Sequence, residues 1–534
     1  MRARILLPVA VLLALAAGRA SAQVLPEAGT WRIYQGSAEL GRESFRRSGD
    51  TLVQAITVPV VNLQVLARTT WRAAALTGFQ MTVRNAAGDS VRGTYAMERA
   101  GDSLRLTQEG GGQRRDRAVP AGAAAVVAPQ SIGLFAELIR GAAGRDTTLP
   151  LLVAGADTVL PATLTHGGDS VRVAFAGLQI IGRLADGRLR EVAVPQQHAR
   201  AVLAAAGDSL PPLRGLRRPV PDYAAPADAP WTAEEVRVPV GTAPDSFSLA
   251  CTLTRPKGVR GRLPAAVTIT GSGSQTRDED LWPLLQDYRL FGEVAEGLGR
   301  AGIAVLRCDD RGAGRSGGHA ESATTADLAG DTRAQVRWLR AEAGIDPARI
   351  ALIGHSEGGM IGPMVAAEDP RIAAVVVMAG PAKNGVEILV DQVQWPIRTA
   401  VGLTPAARDS QLAEAARAVR ASAPSIPWLQ WFRTYEPLPT IRRVRQPVLL
   451  LQGALDRQVT AGQADTLAAT LRAAGNRRVA LEVYPRLNHL FLPSSSDGSP
   501  AEYPSLTDTR LPAAVLDRLT GWLASVLRAT PARP

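Results

Sequence analysis

The sequence predicts an α/β fold with a mostly parallel sheet, preceded by a separate β-rich domain. Apolar strand patterns alternate with helical patterns after residue 234, whereas before residue 210 short strand patterns alternate with Gly-Asp turns. Strands that alternate with helices imply a parallel sheet covered on both faces. A chain of 534 residues also exceeds what one hydrophobic core usually holds, so at least two domains are expected.

Residues 1–22 have the pattern of a secretory signal peptide. Arg2 and Arg4 precede an apolar run, which is shorter than the roughly 20 residues of a membrane span, and Ala20-Ser21-Ala22 is an A-x-A cleavage site. We expect cleavage between Ala22 and Gln23 and a periplasmic or secreted protein with no integral membrane span. An uncleaved anchor is the alternative interpretation.

Residues 23–210 predict a mostly antiparallel β domain. Turns such as Gly88-Asp89-Ser90 are typical of hairpins, because Gly and Asp tolerate positive φ, and a helical pattern interrupts the strands near residues 131–143. His166 and His198 are isolated, and no catalytic constellation is apparent. Many prolines then indicate a linker at 211–233.

The charge pattern does not favour nucleic-acid binding despite a formal net charge of +11. Lys257 and Lys383 are the only lysines, and the arginines are scattered along the chain without a basic cluster or interleaved aromatic residues. We therefore expect no nucleic-acid partner. The sequence does not indicate an oligomeric state.

Cys251 and Cys308 both fall in predicted strands. The interpretation that we favour is two buried free thiols, and a disulfide is the alternative, since an oxidising compartment would let one persist. Neither cysteine has histidine at zinc-site spacing, so no metal is expected. We expect no organic cofactor either.

Residues 234–534 predict the catalytic domain, with a sheet of eight strands whose first pair is a hairpin. The predicted strands are 234–240, 247–254, 265–270, 303–307, 350–353, 372–378, 447–451 and 479–484. Helical patterns cover 290–301, 325–343, 461–474 and 513–527. An insertion at about 382–445 is long enough to form a cap.

The predicted strand 350–353 runs into Gly354-His355-Ser356-Glu357-Gly358, and a helical pattern follows at 359–367. A G-x-S-x-G pattern between a strand and a helix predicts a nucleophile elbow, a sharp turn that holds the serine hydroxyl above the sheet. Gly354 and Gly358 suit positions where neighbouring backbone leaves no room for a Cβ. Ser356 is therefore the candidate nucleophile.

Asp456 is the candidate acid, because it lies in the loop after the strand at 447–451, at the same sheet edge as Ser356. A carboxylate there can orient a histidine and stabilise the imidazolium. Asp465, in a predicted helix, and Glu482, within a predicted strand, are the alternative acids.

His489 is the candidate base, because it follows the last predicted strand and completes the chain order Ser, Asp, His. An imidazole can take the serine proton and return it to a leaving group, since its ordinary pKa is near 6.5. His355 flanks the nucleophile and is expected to point away from the triad, where it packs or supports.

The loop Thr270-Gly271-Ser272-Gly273-Ser274-Gln275 is the candidate oxyanion loop. One donor is expected from the backbone N–H of Glu357 and a second from the N–H of Gly273 or Ser274. A phosphate-binding glycine loop is the competing interpretation, but no P-loop lysine follows.

Three motifs together resemble the α/β-hydrolase serine esterases, in the bacterial group near serine aminopeptidases and acyl-CoA thioesterase-like hydrolases. They lie at 307–318 (a D-x-R-G-x-G-x-S pattern), 325–331 and 354–359. The resemblance covers roughly residues 234–527 and implies hydrolysis of carboxylic esters through Ser356, His489 and Asp456. The family's typical histidine-bearing oxyanion loop is replaced here by Gly271-Ser272-Gly273.

Aromatic residues cluster in the predicted cap although they make up 4% of the chain: Trp395, Trp428, Trp431, Phe432 and Tyr435. They could form an acyl- or aryl-binding wall over Ser356, or the cap's own small core. The first interpretation fits the apolar lining of most substrate pockets.

The predicted function is a secreted serine hydrolase that cleaves small-molecule esters through an acyl-enzyme. An aminopeptidase-like enzyme with the same triad is the first alternative. It would need an anionic site for a free amine, for which the candidates are Glu357, Asp278, Glu279 and Asp280. An envelope-binding protein with a degenerate hydrolase domain is the second alternative.

Overall fold

The computed structural model describes residues 27–529 with short gaps. The gaps are 36–37, 59–62, 73–74, 86–89, 111–112, 121–124, 128–130, 142–144, 155–157, 176–177, 196–198, 206–207, 209, 211–220, 283–284, 286, 400–403, 422–425 and 495. The predicted signal peptide, His198 and the first half of the predicted linker lie outside the described residues.

The N-terminal domain is built on one 15-stranded sheet, which confirms a large β domain before the catalytic domain. Its strands are β1 (Ala28–Gln35), β2 (Ala38–Ser48), β3 (Thr51–Val58), β4 (Leu63–Arg72), β5 (Ala75–Arg84), β6 (Val91–Ala100), β7 (Ser103–Gly110), β8 (Gln113–Pro120), β9 (Ala125–Val127), β10 (Thr147–Val153), β11 (Thr158–Gly167), β12 (Ser170–Phe175), β13 (Leu178–Ala185), β14 (Arg188–Val194) and β15 (Ala199–Leu203). Neighbouring strands pair antiparallel except β9 and β10, and β1 pairs with β15, which joins two meanders into one sheet.

Helix α1 (Ile132–Gly141) packs on the apolar face of this sheet, close to the predicted helical patch. A buried polar group anchors it: the Glu43 carboxylate accepts hydrogen bonds from Gln54 Nε2 and from Ser131 Oγ. Ser131 Oγ in turn accepts the N–H of Leu134 in the first turn of the helix. A buried carboxylate needs hydrogen-bond donors, and here they come from Gln54 on β3 and from Ser131 just before the helix. The contacts therefore join the start of the helix to β2 and β3.

The catalytic domain contains a second sheet of eight strands in the order β16-β17-β19-β18-β20-β21-β22-β23. The strands are β16 (Trp231–Val240), β17 (Phe247–Pro256), β18 (Leu263–Ile269), β19 (Ala304–Cys308), β20 (Ile345–His355), β21 (Ala374–Met378), β22 (Val448–Gly453) and β23 (Val479–Tyr484). The pairs β16–β17 and β17–β19 are antiparallel, and the other pairs are parallel.

Strand β16 begins at Trp231, three residues before the predicted start and inside the predicted linker. The Trp231 side chain is buried, because it packs against Gly299 and lies under the Arg300 guanidinium. A contact from a helix nearly seventy residues later in the chain therefore extends the strand, and the local sequence does not reveal it.

Helices cover both faces of the sheet, as expected for parallel strands. They are α2 (Leu290–Arg300), α3 (Thr325–Ala341), α4 (Gly358–Glu368), α5 (Gly385–Thr399), α6 (Pro405–Ala421), α7 (Pro427–Thr434), α8 (Pro437–Ile441), α9 (Gly462–Ala473) and α10 (Ala513–Ala529). Helices α2 and α10 pack on one face and α3, α4 and α9 on the other. The insertion between β21 and β22 holds α5 to α8. Over the described ranges, we find no helix with the length and apolar character to cross a membrane.

Cys251 and Cys308 form a disulfide, so the favoured expectation of two free thiols is wrong. The two residues lie directly opposite each other on the antiparallel strands β17 and β19, with Cα atoms 4.0 Å apart. The sequence does not show this pairing, because β17 and β19 are separated along the chain by β18, which lies on the other side of β19.

The Cys251→Ala/Cys308→Ala double variant is expected to lower the free energy of unfolding of the catalytic domain by ~2–4 kcal/mol. The cross-link closes a chain segment of 57 residues and restricts the unfolded state. Chemical denaturation of the variant and the wild-type protein measures the difference. A count of free thiols in the denatured, unreduced wild-type protein is the control. Two titratable thiols would contradict the pairing.

Candidate active site

Ser356 lies on a sharp turn between β20 and α4 and has a φ of 54°. The turn needs glycine on both sides, since a Cβ on Gly354 would lie 1.9 Å from Gly358 O and one on Gly358 would lie 2.1 Å from Ile269 O. The Ser356 N–H donates to Met378 O at the end of β21. These contacts produce the strand-turn-helix geometry that the G-x-S-x-G pattern predicts.

Asp456 and His489 are brought together at the same edge of the sheet. His489 Nδ1 lies 2.8 Å from Asp456 Oδ2, and both side chains are buried. The carboxylate also accepts hydrogen bonds from Gln452 Nε2 and from the backbone N–H groups of Gln458 and Val459. These donors hold the carboxylate in one orientation toward the imidazole.

The alternative acids lie elsewhere. Asp465 is in the first turn of α9, and Glu482 on β23 is nearly half exposed, with Arg518 as its nearest cation at 3.6 Å. The pairing with His489 therefore distinguishes Asp456 from both.

The loop that carries His489 is held by its neighbours on either side. Asn488 Oδ1 accepts the N–H groups of Leu490 and Leu492, and Asn488 Nδ2 donates to Glu502 Oε1 at 2.9 Å. The buried Tyr288 hydroxyl donates to Leu490 O. The loop is therefore tied to the segment just before α2 and to the short 3₁₀ turn Pro500–Ser505.

The predicted oxyanion loop passes close to Ser356. A Cβ on Gly271 would lie 3.3 Å from Ser356 Cβ, so the loop backbone is in close contact with the serine at this point. Gly273 has a φ of 96°, which is unfavourable for other residues. Gly273 and Ser274 thus belong to a loop that touches the serine.

Asp310 fastens this loop from below. Its carboxylate accepts hydrogen bonds from Thr270 Oγ1 and from the Gln275 N–H, at the two ends of the loop. Burial raises the pKa of the Asp310 carboxyl well above its usual range, against the effect of these hydrogen bonds, and the nearby carboxylates of Glu279 and Glu357 raise it further.

Glu357 contributes a buried carboxylate as well as its backbone N–H. Its Oε1 accepts hydrogen bonds from Thr325 Oγ1 on α3 and from Trp428 Nε1 on α7, at 2.6 and 2.7 Å. Burial raises the pKa of Glu357, and hydrogen bonds from Thr325, Trp428 and Ser272 counter that rise. Glu357 therefore links the cap to the elbow.

His355 does not point away from the triad side chains, contrary to expectation: the centroid of its ring lies 4.8 Å from that of His489, and it supports the histidine loop. Its Nε2 lies 2.9 Å from the main-chain oxygen of His489, and its Nδ1 lies 2.5 Å from Glu279 Oε1. All of these side chains are buried. Burial by itself lowers the pKa of His355, but the charge and hydrogen bond of Glu279 and the hydrogen bond with His489 raise it above its ordinary value.

Four of the five cap aromatics form two stacked pairs, and Trp395 lies apart from them. Trp428 stacks on Phe432 and Trp431 on Tyr435, while Phe432 belongs to the hydrophobic core and packs against Gly385. Trp395 donates from Nε1 to Asp497 and lies under the Arg457 guanidinium. Phe432 is thus part of the hydrophobic core that also contains residues of the sheet, and Trp428 is joined directly to the elbow through Glu357.

The residues from Arg277 to Asp280 form ion pairs that are buried on at least one side. Asp278 pairs with Arg289 and with Arg307, and Arg277 pairs with Asp309 and Glu235. Asp280 accepts a hydrogen bond from Thr276. Across the described ranges, no three His, Cys, Asp or Glu residues are grouped so as to hold a metal ion.

Sequence reasoning missed the structural roles of Glu279, Asp310 and Thr325. Glu279 was visible only as one acid in a charged run, and it was considered as an amine site. Asp310 lies within the D-x-R-G-x-G-x-S motif and Thr325 opens the motif at 325–331. Their positions in motifs signalled importance, but their partners come from distant parts of the chain.

Comparison with known proteins gives a consistent family. A family model described as serine aminopeptidase, S33, matches residues 284–423. An esterase of Thermotoga maritima is 27% identical over 307 residues, which span 55% of this chain and 71% of that protein. The catalytic domain is therefore similar to hydrolases of the α/β-hydrolase fold. The part of the hydrolase that the family model matches includes Ser356 and ends before Asp456 and His489.

Other similarities cover a shorter part of the chain or have a lower sequence identity. An uncharacterised protein of Mycobacterium tuberculosis is 33% identical to the hydrolase over 113 residues, which span 21% of this chain and 38% of that protein. Among solved structures, an esterase of Pyrococcus furiosus has a TM-score of 0.38 at 16% identity and covers 56% of this chain and 91% of its own.

Asp310→Asn is expected to change how stability depends on pH. Because the pKa of Asp310 is raised in the folded state, its contribution to stability is present below the unfolded pKa of about 3.9 and is lost as the pH rises through the folded pKa. The asparagine side chain does not titrate, so the variant does not lose stability in this way as the pH rises. Its free energy of unfolding minus that of the wild-type protein should therefore become more positive from about pH 5 to about pH 8, by at most ~1.4 kcal/mol per pH unit.

Denaturant titrations of both proteins at several pH values measure this difference. Asp517→Asn on α10 is the matched control, since Asp517 is exposed. A difference for Asp310→Asn that stays constant or falls with pH would contradict the raised pKa.

Proposed function

We propose that this hydrolase cleaves carboxylic esters through an acyl-enzyme, with Ser356 as nucleophile, His489 as general base and acid, and Asp456 as the residue that orients the imidazole. The hydrogen bond from His489 Nδ1 to Asp456 Oδ2 carries the proposal. It leaves Nε2 of the same ring as the atom that exchanges the proton with the serine, which is the arrangement that a triad requires.

In the proposed reaction, His489 Nε2 takes the proton of Ser356 Oγ while the oxygen attacks the ester carbonyl. The tetrahedral intermediate collapses, and the alcohol leaves with the proton from His489. Water then attacks the acyl-serine with His489 as base, which releases the acid and restores the serine. Asp456 keeps the proton-bearing Nδ1 turned away from the serine.

The proposed oxyanion donors are the N–H of Glu357 and the N–H of Gly273 or Ser274. Support comes from the N-terminal position of Glu357 on α4 and from the contact of Gly271 with Ser356. Backbone N–H groups at a helix start favour developing negative charge. A single donor of this kind contributes on the order of 3 kcal/mol to transition-state stabilisation.

The proposed acyl- or aryl-binding wall consists of Trp395, Trp428 and Trp431, with Phe432 as the buried residue behind Trp428. The hydrogen bond of Trp428 to Glu357 supports this placement, since it ties one aromatic ring to the residue next to the nucleophile. The substrate would be a small-molecule ester.

Ester hydrolysis is favoured over an aminopeptidase-like activity because the candidate anionic groups already have partners. Glu357 accepts from Thr325 and Trp428, Asp278 pairs with two arginines, and Glu279 bonds His355. A carboxylate that must give up such partners binds a free amine poorly, because its desolvated partners are left unpaired.

A periplasmic or secreted location is part of the proposal. The predicted signal peptide of residues 1–22 and the Cys251–Cys308 disulfide support it, since structural disulfides persist mainly in oxidising compartments.

Ser356→Ala is expected to abolish turnover of nitrophenyl esters, with kcat lower by about 10⁴-fold or more, because no other group can form the acyl-enzyme. Steady-state kinetics measure the loss, and thermal unfolding checks that the variant is folded. Ser525→Ala on α10 is the matched control. A folded Ser356→Ala protein with wild-type turnover would refute the assignment.

Nitrophenyl esters are expected to be hydrolysed with a higher kcat/KM than aminoacyl nitroanilides, since the candidate amine sites are occupied by partners within the protein. A series of esters of graded acyl length, assayed beside the anilides, makes the comparison. A preference for the anilides that disappears when their amino group is acetylated would favour the aminopeptidase alternative.

A further inference from the structure

A second histidine–carboxylate pair lies beneath the proposed triad. Glu279 and His355 are both almost fully buried, and the centroid of the His355 ring is 4.8 Å from that of His489. The mechanism proposed above uses neither side chain. A buried ionisable pair without a role in the chemistry needs a physical explanation.

The hydrogen-bond partners of His355 determine which of its ring nitrogens carry a proton. His355 Nε2 faces the main-chain oxygen of His489, which can only accept, so this nitrogen carries a proton. His355 Nδ1 lies 2.5 Å from Glu279 Oε1, and a second proton must lie between these two atoms. The pair therefore holds two protons, and the ring acts as a charge-assisted donor toward the His489 carbonyl.

The Glu279 carboxylate contacts a second loop of the site. A Cβ on Gly271 would lie 3.0 Å from Glu279 Oε1, so the carboxylate is packed against the oxyanion loop. Glu279 also has a φ of 55°, an uncommon conformation for a residue other than glycine. One carboxylate thus touches the loop over Ser356 and, through His355, holds the loop that carries His489.

We propose that Glu279 and His355 form a positioning pair that holds the His489 main chain, and with it the His489 imidazole, in register with Ser356. The inference depends on the proposed function. Neither residue touches substrate. The charged and titratable groups that face the pair are Asp456, His489, Tyr288 and Asp310.

Three variants separate positioning from general stability. Glu279→Ala removes the group that accepts the proton of His355 Nδ1. It is expected to lower kcat for a nitrophenyl ester by about 100-fold, because displacing a catalytic base by about 1 Å can lower the rate by that factor. Glu279→Gln can donate its amide N–H to a neutral Nδ1 and restore the bond to the His489 carbonyl, so it should lose about 10-fold or less. KM should change by less than about twofold in both, because the pair does not contact the substrate.

His355→Gln keeps one donor for the His489 carbonyl but turns its amide oxygen toward the Glu279 carboxylate. Its kcat should fall at least as far as that of Glu279→Gln. Glu293→Gln is the matched control, because the half-buried Glu293 accepts the N–H of Leu511 outside the site. Its kcat should equal that of the wild-type protein even where its thermal stability falls.

Nuclear magnetic resonance of ¹⁵N-histidine-labelled protein reports the protonation of the His355 ring nitrogens, which a general loss of stability would not change. Both ring nitrogens of His355 should be protonated at about pH 7, and Glu279→Gln should leave one of them unprotonated. His355→Gln identifies the signals by their loss. An unprotonated ring nitrogen of His355 in the wild-type protein would overturn the proposed protonation.

The proposal is overturned if folded Glu279→Ala and His355→Gln turn over at the wild-type rate, or if Glu279→Ala and Glu279→Gln lose the same fraction of kcat. If Glu279→Ala does not fold, Glu279→Gln and His355→Gln test the proposal instead, and a wild-type kcat in both variants refutes it. Activity in Ser356→Ala would instead refute the proposed function itself. The two failures are therefore distinguishable.

Discussion

The close approach of backbone around Gly354 and Gly358 is the constraint on which the rest of the site depends. Both positions lie so near to other main-chain atoms that a side chain cannot fit, and the chain between them turns with Ser356 at positive φ. A serine held in this way projects from the sheet edge at the start of α4. In the proposed mechanism, the loops that bring Asp456, His489 and the proposed oxyanion donors can act on the substrate only because this oxygen has a defined position.

Buried and half-buried carboxylates are the second organising feature, and each is stabilised by a different means. Asp456 accepts from an imidazole, an amide and two N–H groups, and Glu279 lies against the imidazole of His355. Glu357 accepts from a hydroxyl and an indole, and Asp310 has a strongly raised pKa. Because removing a charge from water is costly, each carboxylate must have its donors in place, which makes the loops around the serine mutually dependent.

The two domains achieve stability in different ways. The N-terminal domain joins two antiparallel meanders through β1 and β15, with a buried Glu43–Gln54–Ser131 group at the base of its helix. The catalytic domain has a parallel sheet with helices on both faces, and one disulfide joins β17 to β19. The cap between β21 and β22 is joined to the elbow by the hydrogen bond of Trp428 to Glu357, and a second hydrogen bond joins its Trp395 to Asp497.

The sequence by itself determined what is local: the elbow, the alternation of strands and helices, and the order Ser356, Asp456, His489, because these depend on periodicity, glycine placement and loops at one sheet edge. Only the tertiary structure decided which distant groups meet. The pairing of Cys251 with Cys308 and the contacts of Glu279 follow from strand order and loop packing, and strand order is not encoded in any local pattern. A hydrogen bond between residues many positions apart becomes readable only when the fold has brought its two ends together.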